Sequence, residues 1–240
     1  MKIPLTPYGR REEILFPLAV LLVGLLLCRS LPAVYPWAII GAVVISLLIL
    51  LFFRDPQRKI PQDAAILLAP ADGKITDITE VEETEYIRGG AWRIGIFLSV
   101  FDVHINRSPC GGVVRYIQRH PGKCLNALRA AAASLQNEAN SVGLECPEHP
   151  AGKILVKQIT GAIARRIVCG CKPGDTLAPG ERFGMIKFGS RTELFILRDE
   201  RLEILVKKGD TVRAGTTIMV RYKKNSGVSS QNPEVRSKQD

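Results

Sequence analysis

The strongest constraint on this chain is an apolar block near its start. Between Ile14 and Phe53 the single charged residue is Arg29, whereas the remainder is dense in Lys, Arg, Asp and Glu. Two runs, Ile14–Cys28 and Trp37–Phe53, flank a break that contains Arg29, Ser30, Pro32 and Pro36. At ~1.5 Å per residue the second run makes a helix about 26 Å long, against a hydrocarbon core of about 30 Å. The first is shorter still. This pattern predicts a closely spaced helical hairpin over residues 1–55, either spanning a thinned bilayer or lying in it as a re-entrant wedge. Lys2, Arg10 and Arg11 precede the hairpin, and Arg54, Arg58 and Lys59 follow it. Both ends, and the domain attached to them, are therefore expected on the cytoplasmic side of the cell membrane. A cleaved signal peptide leaves the second run unexplained. A lipoprotein signal is disfavoured by the bulky Leu27 before Cys28.

Removing the hairpin leaves roughly 185 residues, enough to bury a core without disulfides. The net charge of +10 calls for an anionic partner, either nucleic acid or an acidic lipid surface. Beyond Ser99 the aromatics are Phe101, Tyr116, Phe183, Phe188, Phe195 and Tyr222, with no basic–aromatic stripe for stacking bases. An anionic membrane is favoured and nucleic acid is not. The six cysteines are scattered, and no histidine stands at metal-ligand spacing from Cys169-Gly170-Cys171, so reduced structural thiols without a metal are expected.

From Ile66 the chain reads as short β segments separated by Gly, Pro and Asp turns. Strand candidates are Arg93–Val100, Ile154–Gln158, Arg166–Val168, Met185–Phe188, Leu194–Leu197, Glu203–Val206 and Ile218–Tyr222. Leu125–Leu135 is the best soluble helix. The segment Pro173–Gly180 echoes Lys208–Gly215 thirty-five residues later, each with a Gly-Asp turn and a second turn glycine. These hairpins resemble those of lipoyl/biotinyl hammerhead domains, as does Ala69–Gly73. The fold class expected is mainly β, a compact sandwich or barrel-sandwich hybrid over residues 56–222, followed by a polar, disordered tail over 223–240.

Few residues here suit catalysis, and each has a plain structural reading. His104 follows an apolar strand, where a lone histidine is more often a hydrogen-bonding residue. His120 and His149, each beside a proline, read as loop residues. Asp72 suits an ordinary turn aspartate. Gly189-Ser190 reads as a hairpin turn.

Taken in order, the segments Ala69-Pro70-Ala71-Asp72-Gly73, Phe101–Pro109, Arg165-Arg166-Ile167-Val168 and Gly184–Arg191 form a pattern. So do Pro121-Gly122-Lys123 with Asn126-Ala127, and Asn137–Asn140. Over Pro56–Tyr222 the chain resembles the phosphatidylserine decarboxylase proenzymes, in their short form. The resemblance implies self-cleavage between Gly189 and Ser190, with Ser190 as nucleophile, His104 as its base and Asp72 holding the imidazole. It further implies that Ser190 becomes a covalent pyruvoyl cofactor, a ketone that withdraws electrons as CO₂ leaves a serine phospholipid. Large and small chains would stay associated. The long bacterial members carry a second histidine where this chain has Phe101, so the proton donor to the carbanion is unassigned. Arg107 is a candidate for lipid phosphate. Two alternatives stand: the same chemistry on another serine-headgroup lipid such as archaetidylserine, or a non-enzymatic membrane-tethered hammerhead-type carrier or adaptor, with Lys74 the nearest candidate for its modifiable lysine. The sequence leaves oligomeric state open.

Overall fold

The computed structural model describes residues 5–30, 35–123, 136–161, 166–187 and 190–223. The expected helix Leu125–Leu135, the tail from 224, Arg165 and Gly189 lie outside them.

Two helices open the chain: α1 (Arg10–Ser30) and α2 (Tyr35–Phe52). Thr6 Oγ1 accepts from the Tyr8 N–H at 3.2 Å, Pro7 follows at the first position of a short 3₁₀ turn, and Glu12 and Glu13 occupy the first turn of α1. All three devices favour a helix start there. Gly24 lets α1 approach α2, since a Cβ on it would stand 3.1 Å from Ala42 Cβ. The base of the hairpin is closed by the Thr6 N–H donating to the Phe53 carbonyl at 3.0 Å. The helical hairpin is thus present, but among the described residues no helix is long and apolar enough to cross a membrane.

Among the described residues fourteen strands follow in chain order. They are β1 (Ile66–Leu68), β2 (Gly73–Glu83), β3 (Gly89–Leu98), β4 (Ile105–Arg107), β5 (Gly112–His120), β6 (Ala139–Cys146) and β7 (Gly152–Thr160), then β8 (Arg166–Cys169), β9 (Thr176–Leu177), β10 (Arg182–Lys187), β11 (Ser190–Leu197), β12 (Leu202–Ile204), β13 (Thr211–Val212) and β14 (Ile218–Tyr222). All ladders joining them are antiparallel. Eight strands form one sheet in the order β13-β2-β3-β11-β7-β6-β5-β9, and two three-stranded sheets read β1-β14-β12 and β4-β10-β8. The mainly β expectation holds, with one long sheet and two small ones. Their apolar faces meet in a core that includes Leu67, Ile94, Ile96, Val142, Leu144, Phe183, Leu194 and Val220.

The sequence echo proves to be part of an internal repeat. Gly209 N–H donates to the Ile75 carbonyl and Gly174 N–H to that of Val114, each at 2.8 Å. Both glycines have positive φ, 99° and 96°, which a side chain would oppose. Leu68 N–H donates to Pro109 O and Arg107 N–H to Pro70 O, each at 2.9 Å, a reciprocal pair that relates β1 to β4. The strand order of the long sheet mirrors itself about β11 and β7. One half is β4 to β10; the other is β1–β3 completed by β11–β14, so the continuous β4–β10 half is inserted whole into the split one. The insert ends where Ser190 begins.

Candidate active site

Ser190 opens β11, the strand clasped between β3 and β7, with Leu98 opposite it on one side and Thr160 on the other. It is fully buried, and among the described residues its Oγ has no hydrogen-bond partner. The preceding strand, β10, belongs to a different sheet. Lys187, which ends β10, and Ser190, which opens β11, thus belong to different sheets, and the turn expected at Gly189 lies outside the described residues.

His104 precedes β4 and is fully buried. Its Nδ1 lies 2.9 Å from the Asp102 carbonyl, an acceptor only, so Nδ1 carries the proton and Nε2 keeps its lone pair. Nε2 likewise has no partner among the described residues. Burial pushes the imidazole pKa down to about 4, aided by the Arg54 cation and opposed by the bond to Asp102. At neutral pH the ring is an uncharged acceptor. Its backbone carbonyl accepts from the Ile186 N–H at 3.3 Å, which ties the histidine to the strand leading towards Ser190. Leaving a buried polar atom unpaired costs about 1–3 kcal/mol. Two such atoms on a serine and a neutral histidine suit a base and a nucleophile awaiting reaction.

Asp72 is placed otherwise than expected. Its carboxylate accepts from Arg58 Nη2 at 2.7 Å and from the Ala214 N–H at 2.7 Å. The imidazole is oriented instead by a backbone carbonyl, because Asp102 turns its own carboxylate back onto the Ser99 N–H at 2.8 Å. Arg107 likewise bonds within the protein. Its guanidinium is buried and donates to Asp55 Oδ1 at 2.8 Å, Gly180 O at 3.0 Å and Pro56 O at 3.2 Å. It clamps the segment that follows the hairpin, and its donors are committed to protein. Lys74 sits within β2, paired with Phe97 and Thr211, and not at a hairpin tip. His120 and His149 are engaged elsewhere, His120 with Ser141 and Glu85 and His149 with the Ile66 carbonyl and Ala151 N–H.

Two features escaped the sequence reading. Beside Ser190 on the same face of β11, Thr192 Oγ1 accepts from Asn106 Nδ2 at 3.1 Å. Asn106 Oδ1 accepts from Gln158 Nε2 and Gln158 Oε1 from Asn140 Nδ2, both at 2.9 Å. This buried amide row fixes β4 against the long sheet. On the opposite face Arg191, fully buried, donates to Glu193 Oε1 at 2.8 Å, to Thr76 Oγ1 at 2.6 Å and to both oxygens of Asp77 at 2.9 and 2.7 Å. The polar residues of the motifs could have signalled both, since polar side chains in a strand buried on two faces must find partners.

The sequence model of the family described as phosphatidylserine decarboxylase matches residues 45–220. The chain belongs to the phosphatidylserine decarboxylase family. It is 45% identical over 223 residues to a phosphatidylserine decarboxylase proenzyme of Rhodopirellula baltica, covering 90% of this chain and 92% of that one. A proenzyme of the same name from Carboxydothermus hydrogenoformans is 45% identical over 187 residues, 78% and 85% of the two chains. One from Symbiobacterium thermophilum is 42% identical over 201 residues, 83% and 91%.

Proposed function

We infer that this chain is a self-processing carboxy-lyase that converts phosphatidylserine to phosphatidylethanolamine and CO₂. Membership of a family of proenzymes supports it, and the observation that carries it is the pair of buried, unpartnered atoms on Ser190 and His104. In the first step His104 Nε2 takes the Ser190 hydroxyl proton as Oγ bonds to the Gly189 carbonyl carbon. The C–N bond breaks, the proton passes to the freed amine, and an ester replaces the amide. Loss of the residue 190 α-proton then expels the Gly189 carboxylate and leaves a dehydroalanine. Hydrolysis of this residue releases ammonia and leaves a keto cap on residues 190–240.

The site fits such a cap. A hydrolytic cut would leave an ammonium at a position with no solvent exposure, whereas a ketone is neutral. A pyruvoyl group there supplies an electron sink for loss of CO₂. Phe101, 74% exposed, cannot move protons, and neither His120 nor His149 is at the site, so His104 serves as the proton carrier in both stages. The ether-lipid substrate gains no support from the relatives, and the carrier reading loses its lysine tip.

The hairpin serves as a membrane wedge. Its outward surface is apolar: Leu18, Leu25 and Trp37 are 60%, 61% and 73% exposed. With the flanking basic residues, this supports seating in the cytoplasmic leaflet of the cell membrane. Mass analysis of the purified chain under denaturing conditions tests the processing. Two fragments are expected, the smaller beginning at a blocked residue 190, and Ser190→Ala and His104→Ala should remain whole. An intact chain that decarboxylates phosphatidylserine in vesicles would overturn the reading.

A further inference from the structure

The base of the helical hairpin reaches the proposed site from two directions. Phe52, the last residue of α2, lays its ring against the His104 imidazole, with centroids 4.4 Å apart and planes inclined by 39°. Phe52 and Phe53 share a buried cluster with Val103, Ile105 and Met185, so the loop that carries His104 is packed between the hairpin and β10. Arg54 then donates to the Phe101 carbonyl at 2.6 Å and to the Leu51 carbonyl at 2.8 Å, which pins the helix end to the same loop. From α1, Glu12 accepts from Lys187 Nζ. Lys187 is buried, ends β10 and stands three residues before Ser190, and its ammonium lies 6.0 Å from the Phe53 ring centroid.

We propose that the hairpin base is a wall of the catalytic centre, with Phe52 as a positioning residue that holds the His104 imidazole for Ser190, so that seating of the hairpin and self-cleavage are coupled. The proposal rests on His104 being the processing base. A membrane anchor alone would need only a tether. Here the anchor's last residue is instead the aromatic surface that keeps water from the imidazole. The polar and charged groups around that ring are few. The Asp102 carbonyl holds Nδ1, the Asp102 carboxylate faces Ser99, the Ile186 N–H meets the His104 carbonyl, and Arg54 is the nearby cation. The Lys187–Glu12 pair beyond Phe53 is self-neutralising. Desolvation is the largest of the effects on the ring, and Phe52 contributes to it. Without that ring water enters, the imidazole takes a proton more readily, and its Nε2 is no longer confined. Glu12 acts on the other partner, because it fixes the strand that delivers the scissile bond.

The test follows self-cleavage of freshly synthesised full-length chain in anionic phospholipid vesicles, from about pH 4 to about pH 9. Phe52→Ala should slow cleavage at neutral pH by at least about tenfold, and the acid limb of its pH profile should move up towards the ordinary histidine range. Phe52→Trp and Phe52→Leu should restore both rate and limb in part. Glu12→Gln, which leaves the His104 wall intact, should slow cleavage without moving the limb. It keeps the test open if Phe52→Ala fails to fold. Wild-type rate and an unmoved acid limb in Phe52→Ala would overturn the proposal, as would wild-type cleavage in Glu12→Gln. If His104→Ala itself cleaves normally, the parent reading falls. If His104→Ala is inert while Phe52→Ala is unaffected, the hairpin wall alone falls.

Discussion

His104 shows what burial does to one side chain. Its imidazole titrates near 6.5 in an unfolded chain and at about 4 here, chiefly because no water reaches it. Between those values the unfolded chain binds the extra proton. This group's contribution to stability is therefore complete above about pH 6.5 and falls as the pH drops towards 4, by roughly 3 kcal/mol in all. Two measurements follow. The urea midpoint of the uncleaved Ser190→Ala chain should fall with acid over that window, and His104→Gln should flatten part of the slope. Self-cleavage should hold its rate from neutral pH down to about pH 5, where an ordinary histidine would already be mostly charged. Loss of half the rate near pH 6.5 would show that water reaches the ring. The cysteines make a second contrast at this scale. Cys110 and Cys146 have their sulfurs 3.2 Å apart in the core, and the bond between them and their burial drive the Cys110 thiol pKa up. Cys169 and Cys171, 3.6 Å apart, are only half-buried, and the bond from Cys171 pulls Cys169 down to about 6. Brief alkylation of the native protein should label Cys169 first and spare Cys110 and Cys146. Equal labelling of both pairs would contradict the packing.

At the scale of the element, β11 carries the argument. Residue 190 would become a chain end after the proposed cleavage, and chain ends fray unless tied down. Arg191 ties this one, and Gly95 on β3 makes room for it: a Cβ there would stand 1.8 Å from Arg191 Nη2. Arg191→Ala strips the close cation from Glu193, which is 1% exposed, and should destabilise the Ser190→Ala chain by about 3–5 kcal/mol in denaturant melts. Gly95→Ala should act in the same direction. A change below about 1 kcal/mol in Arg191→Ala would show that the cluster is dispensable. Such anchors mark the boundary of what the sequence disclosed. Strands with continuous apolar runs, such as Ile94–Leu98 and Leu194–Leu197, were legible, and so were the Gly-Asp turns, because local chemistry dictates both. β5 and β6 were not singled out: Tyr116, Gln118 and Arg119 interrupt the one, and Asn140, Ser141 and Glu145 the other. Their polar side chains read as loop until cross-strand partners exist. Ser190 and His104 were singled out by motif order, whereas the contacts that Asp72 and Arg107 make were not legible, for a common reason. Their partners Arg58, Ala214, Asp55 and Gly180 lie 14 to 142 residues away, and no local pattern points to them or counts the distance to Asp55 and Gly180.

For the whole molecule, the insertion of one repeat into the other decides what cleavage does. A cut before Ser190 divides the outer repeat, leaving β1–β3 on residues 1–189 and β11–β14 on residues 190–240. β11 remains hydrogen-bonded on both sides to strands of the larger fragment, β3 and β7, while β13 stays on β2 and β14 on β1. The ladders that join β11 to β3 and β7 run along residues 190–197, beyond the proposed break, so they hold the strand without that bond. The proposed cleavage would therefore cost connectivity and little else, and the reaction could make its cofactor without dismantling the scaffold that must then use it. The cut protein should elute as one species in native buffer even at high dilution, with a melting temperature within about 5 °C of the uncut Ser190→Ala chain. Separation of the fragments should require denaturant strong enough to unfold the long sheet. A smaller fragment that elutes alone in native buffer would mean that β11 is not held at the centre, and the proposed cofactor would then have no fixed seat.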